Sequence, residues 1–204
     1  MNLMILAPAR VLDGVSRLPT LAGDHAAVRR LELVALLLTG AVAACMSTFI
    51  DLNLRIPGHH ILYSIFPMAF GFALVPRGRA GTVMGASALA TTALLGLAGA
   101  RIPGPGALTS LALTGPFLDV ALRWGKSGWR LYGAFVLAGA ASNIAAFVVR
   151  GALKATGIPG LAGGRALGSW LPQAVWTYTL AGVLCGLISA ATWFRLRERR
   201  GDRS

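Results

Sequence analysis

The stretch LELVALLLTGAVAACMSTFI, Leu31 to Ile50, decides the architecture. Twenty residues at 1.5 Å rise each make a helix about 30 Å long, the thickness of a bilayer's hydrocarbon core. Its one charged side chain, Glu32, stands at the start, near the headgroups, where a charge costs least. Ala35, Thr39 and Ala43 recur at four-residue spacing, and Gly40 and Ala44 form a second row. Such rows let a second helix approach closely, either inside the chain's own bundle or from a partner.

Five further apolar runs repeat this pattern. They are Ile61–Val75, which contains Pro67; Ala80–Gly99, with Gly81-x-x-x-Gly85; and Ala107–Leu122, with Gly115-Pro116 and Asp119. Leu131–Val149 contains Ser142-Asn143, and Leu171–Phe194 contains Gly182-x-x-x-Gly186. Short basic or Gly/Pro-rich turns separate them, Arg77-Gly78-Arg79 and Arg101-Ile102-Pro103-Gly104 among them. The 204 residues are 55% hydrophobic and 13% charged, with a mean hydropathy of +0.67. A soluble domain of this size cannot enclose so much apolar surface. The expected fold class is an all-α membrane protein, a six-helix transmembrane bundle. Residues 1–30 read as an arm, 31–194 as the transmembrane domain and 195–204 as a basic tail. The apolar start at Met1–Ala9 has its charges after it rather than before it, unlike a secretory leader.

A net charge of +12 invites a nucleic-acid reading, but the cations sit at the ends of apolar runs rather than on one polar surface. No nucleic-acid partner is expected. Fourteen of the nineteen Lys and Arg fall on the side that holds both termini and the turns at Arg77 and Lys126. The positive-inside rule therefore puts both termini in the cytoplasm, and the compact chain with its short loops fits a bacterial inner membrane. Cys45 and Cys185 lie inside apolar runs and imply no disulfide framework.

The opposite, outward side collects the polar chemistry. Asp51, Asn53, Arg55, His59 and His60 fall within ten residues, and Arg101 lies on the next outward turn. Asn143, Trp170, Gln173 and Trp176 stand at the same end of the last two spans. Polar anchors beside an aromatic wall are what a small-molecule site requires. The indoles equally suit the headgroup belt. His59, His60 and Asp51 are candidate metal ligands, because a Pro57-Gly58 turn could bring together two imidazoles that a helix would splay by about 100°. Asp119 is costly within a span; it is expected to pair with Arg123 one turn on, to reach the interface at the nearby end of the span, or to serve as a relay. No GxSxG elbow and no Walker A loop occurs, so neither that hydrolase chemistry nor an ATPase of that kind is expected; no cofactor is expected and the chain reads as a non-enzyme.

Six spans in about 200 residues, a small-residue first helix and a polar outward loop together resemble the substrate-binding (S) component of energy-coupling factor transporters. Pro57-Gly58-His59-His60 followed by Pro103-Gly104-Pro105-Gly106-Ala107-Leu108-Thr109 resembles the cobalt and nickel members. Those members carry an amino-terminal Met-His on the outside, whereas this chain begins Met1-Asn2 on the side read as cytoplasmic. The resemblance implies capture of a small molecule or ion from the outer face. It also implies that the Ala35/Thr39/Ala43 face meets a transmembrane coupling subunit, with cytoplasmic ATPases beneath. Two alternatives share the architecture: a non-transport membrane scaffold, and an intramembrane enzyme working on a lipid or polyprenyl substrate through Asp51 and the histidines.

Overall fold

The computed structural model describes residues 25–50, 58–157 and 167–194. They form six helices: α1 (His25–Phe49), α2 (Ile61–Leu74), α3 (Ala80–Leu97), α4 (Pro105–Trp124), α5 (Gly128–Ala155) and α6 (Leu167–Trp193). No strand occurs among the described residues. All but α2 are long and apolar enough to cross a membrane. The outer faces carry Leu33, Leu38, Val42, Leu94, Leu137 and Leu184 in the open. Water would penalise so many exposed apolar side chains, and lipid tails would accept them. The described residues thus form an all-helical bundle whose outer surface suits a bilayer.

The fourteen residues of α2 would reach about 21 Å, less than a hydrocarbon core. Yet α2 is the centre of the molecule. It packs against all five other helices, whereas α1 does not touch α6. Ten of its residues are buried, Pro67 among them. Around it the helices follow one another as α1, α3, α4, α5 and α6.

Glycine sets the closest crossings. A Cβ on Gly115 of α4 would stand 2.0 Å from the Gly81 carbonyl oxygen of α3, and one on Gly81 would stand 2.2 Å from the Gly115 oxygen. Gly139 of α5 and Gly182 of α6 meet in the same reciprocal way, at 2.5 and 2.6 Å. The two Gly-x-x-x-Gly rows are therefore contacts within the bundle, α3 on α4 and α6 on α5. The Ala35/Thr39/Ala43 row is also turned inward. Thr39 and Ala43 are buried, Ala35 packs on the core, and the Thr39 hydroxyl lies against Gly71 of α2. This departs from the expectation that the row meets a coupling subunit: α2, lying beside α1, occupies the row first.

Four helices, α1, α4, α5 and α6, outrun their expected spans. α5 continues past Val149 to Ala155, and α6 begins at Leu167 rather than Leu171. α1 likewise starts at His25, before Leu31. Hydropathy marks where lipid ends; helical hydrogen bonding continues beyond it.

Candidate functional site

The end of the bundle that holds the α3–α4 turn gathers its polar groups around Tyr178. On α5, Asn143, Phe147, Arg150 and Lys154 follow one another at +4, +3 and +4, which places them on one helical face. On α6, Trp170, Ala174 and Tyr178 do the same at +4. The two faces meet in a small buried cluster of Ala146, Trp170, Ala174 and Tyr178, with Phe147 against it.

Asn143 lies at the floor, buried. Its amide nitrogen donates to the Tyr178 carbonyl at 2.7 Å and to the Gly58 carbonyl at 3.1 Å. One side chain thus ties α5 to α6 and to the turn that opens α2. Gly58 has φ +90°, and a Cβ there would lie 2.9 Å from the Asn143 amide and 3.0 Å from Tyr178 Cα. The turn therefore sits flush on both helices, and both its conformation and its contacts demand glycine. His59 and His60 follow with rings stacked at 4.3 Å, and each meets the Tyr63 ring edge-on.

The upper part of the cluster is aromatic and cationic. Phe147 stacks on Trp170 at 5.5 Å, and Trp170 meets Tyr178 edge-on at 6.4 Å. The Lys154 ammonium lies 5.5 Å from the Trp170 ring centroid, a cation–π distance, and Lys154 is only 8% exposed. Arg150 Nη1 donates to the Tyr178 hydroxyl at a long 3.4 Å. The start of α4 completes the arrangement. A Cβ on Gly106 would be 3.7 Å from the Tyr178 hydroxyl and 3.8 Å from Arg150 Cδ. Gly106 belongs to the first turn of α4, whose amides carry the partial positive charge of a helix N-terminus.

The sequence-predicted residues divide as follows. Asn143, Trp170, His59 and His60 are joined through Tyr178 and the Gly58 turn. Trp176 is 70% exposed and Gln173 is exposed, both on the outer side of α6 rather than in the aromatic wall. The cause is helical periodicity: the inward positions are 170, 174 and 178, and 173 and 176 fall between them. Arg101 is exposed on the α3–α4 turn. Asp51, Asn53 and Arg55 lie outside the described residues. No group of three His, Cys, Asp or Glu side chains able to hold a metal occurs among the described residues, and Asp51 was the third member of the candidate set. Arg150, Lys154 and Phe147 complete this face beyond the sequence-predicted set. For Arg150 and Lys154 the signal is their spacing from Asn143, which hydropathy hides because the apolar run ends at Val149; Phe147 lies within that run and looks like any other apolar residue of it.

At the opposite end, the acids are bound up in structure. Glu32 is buried and receives Arg77 in a two-pronged ion pair, Nη2 to Oε1 at 2.9 Å and Nε to Oε2 at 2.5 Å. The hydrogen bonds and charge of Glu32 hold the Arg77 guanidinium above its ordinary, already high value, so it stays charged at every working pH. Asp119 does not pair with Arg123; Glu32–Arg77 is the one carboxylate ion pair among the described residues. Asp119 instead accepts from the Gly81 and Thr82 backbone N–H groups at 2.9 and 2.7 Å, and from the Thr82 hydroxyl at 2.6 Å. Arg79, at the N-cap of α3, has φ +69° and no side chain able to accept a hydrogen bond, so α4 supplies the cap.

No family model, curated protein or solved structure matches this chain.

Proposed function

We propose that the chain is the substrate-capturing membrane subunit of an ATP-driven importer, taking a small anionic molecule with an apolar or aromatic body at the Tyr178 end of the bundle. The observation that carries this is the convergence of Arg150 and Lys154 with the N-terminus of α4 over an aromatic face of Trp170, Phe147 and Tyr178. Two cations and a helix N-terminus favour a carboxylate or phosphate. Stacked rings favour a flat or apolar body, and such a mixed lining is usual for a binding site. Arg150 and Lys154 also complement the C-terminal dipole of α5, a structural role that explains their helical position but not their aromatic partners.

In this reading α2 is the sixth crossing, and its shortness is tolerated because the other five helices shield it from lipid. Both termini are cytoplasmic and the Tyr178 end faces outward, in a bacterial inner membrane. A transmembrane coupling subunit with cytoplasmic ATPases would meet an outer face such as Val34, Leu38 and Val42 of α1. The resemblance to energy-coupling factor S components supports this assembly by architecture alone.

The test is purification of the full chain in mild detergent, with native mass spectrometry of what it retains. A small anion bound one to one, and lost by tenfold or more in affinity in Arg150→Gln or Lys154→Gln with the melting temperature kept, is the expected result. Unchanged retention in both variants, or a chain that holds no small ligand and tolerates both substitutions, rejects the site and leaves a scaffold role.

A further inference from the structure

The α4–α5 turn, at the end opposite Tyr178, holds a groove of about 380 Å³ that the importer reading does not use. Its floor includes Gly125 and Gly133, and its sides are Trp124, Trp129 and Leu137. Trp124 and Trp129 are 82% and 75% exposed. Nothing lies within 4 Å of where a Gly133 Cβ would project, so the floor is open because residue 133 has no side chain. Leu137 is two helical turns from Trp129, about 12 Å deeper along α5, and is itself exposed. The groove therefore runs from a pair of indoles, which prefer the headgroup zone, toward hydrocarbon depth.

Its shallow end is basic. Arg130 lines it, with its guanidinium carbon 6.0 Å from the Trp129 ring centroid, while Arg123 in the last turn of α4 and Lys126 in the turn that follows are exposed nearby in the chain. None of the three joins an ion pair among the described residues. The nearest carboxylate along α4, Asp119, is held on α3. An apolar trough capped by unneutralised positive charge matches an amphiphile with an anionic head.

We propose that this groove binds an anionic phospholipid, which lays an acyl chain from the indoles toward Leu137 and sets its phosphate against Arg130 and Lys126. A soluble phosphate would leave the apolar trough unfilled. A zwitterionic lipid would bring its own cation to a basic rim. The inference does not depend on the importer reading.

The experiment offers the full chain, in neutral detergent, equal amounts of phosphatidylglycerol and phosphatidylcholine with identical chains, and counts retained lipids by native mass spectrometry. One phosphatidylglycerol retained in preference to phosphatidylcholine is expected. Arg130→Gln and Lys126→Gln should each lower that preference about fivefold, the usual effect of one basic residue on an anionic lipid surface. Gly133→Leu fills the groove without meeting another atom at its Cβ, and should abolish retention of both lipids while the protein melts as wild type. Equal retention of the two lipids by the wild type overturns the proposal. So does a Gly133→Leu protein that retains lipid unchanged, or a dimer of the wild type, lost in Gly133→Leu, with no lipid bound. If Gly133→Leu fails to fold, the lipid ratio in Arg130→Gln decides.

Discussion

Asp119 shows how a single residue's cost inside a membrane protein is offset. A carboxylate in a span must be matched, and the i,i+4 neighbour Arg123 is the match that the sequence offers. The folded chain prefers two backbone N–H donors and a hydroxyl at the start of α3. Those amides have no intrahelical acceptor, and the helix dipole adds to the attraction. Asp119→Ala should therefore destabilise the protein by about 1–2 kcal/mol, and Asp119→Asn by less, because the amide oxygen keeps one acceptor. Unfolding in denaturant, followed by circular dichroism in mild detergent, measures this; a wild-type midpoint for Asp119→Ala would reject the capping role. At the other end, Asn143 joins three segments through two hydrogen bonds. Its importance was legible as a polar residue in an apolar run, but its partners are backbone carbonyls that no motif could announce.

At the scale of elements, the helices differ in what holds them. α3 on α4 and α5 on α6 are held by glycine-to-glycine crossings that admit no methyl group. Gly115→Ala should push α3 from α4 and cost about 1–3 kcal/mol, as overpacking does. Gly168→Ala in α6 has nothing within 4 Å and should leave the protein as stable or slightly more so, since alanine is the better helix former. Comparing the two midpoints removes the shared propensity gain; equal shifts would show that the crossing yields freely. The rows themselves were visible as small residues at four-residue spacing, and so was the choice between an internal and an external partner. Periodicity names the face, while the identity of the facing helix depends on how the chain is routed. α1 illustrates this, because its Ala35/Thr39/Ala43 row is covered from within. α2 illustrates the converse. Its shortness marks it as marginal for a span, yet it is the element every other helix touches.

At the scale of the whole molecule, the helices alternate direction, so the two ends differ in chemistry. One carries Arg77, Arg79, Arg123, Lys126 and Arg130 with both described acids; the other carries Arg101, Arg150 and Lys154 with the aromatic cluster. If the first end is cytoplasmic, Gly78→Cys should react with a membrane-impermeant maleimide only after cells are permeabilised, and Gly104→Cys in intact cells. Both glycines are exposed in turns with nothing within 4 Å, so neither substitution disturbs packing. Cys45 and Cys185 are replaced by serine or alanine as background. The reverse labelling pattern would invert the molecule and place the Arg150–Lys154 cluster inside the cell, which an import site could not survive.

What the sequence by itself determined is the class of the molecule and its punctuation. Helical apolar runs, Gly/Pro turns and charges at run ends follow from solvent transfer and backbone hydrogen bonding, which act locally and are written in consecutive residues. Only the tertiary structure decided that α2 lies at the centre, that α4 caps α3, and that Tyr178 draws Asn143, Arg150, Trp170 and the Gly58 turn together while Gln173 and Trp176 stay outside. Apart from Trp170 and Tyr178, which share α6, these are contacts between residues tens of positions apart. They depend on which helix is neighbour to which and on the rotation of each about its axis, and a hydropathy pattern common to all five long helices carries neither quantity.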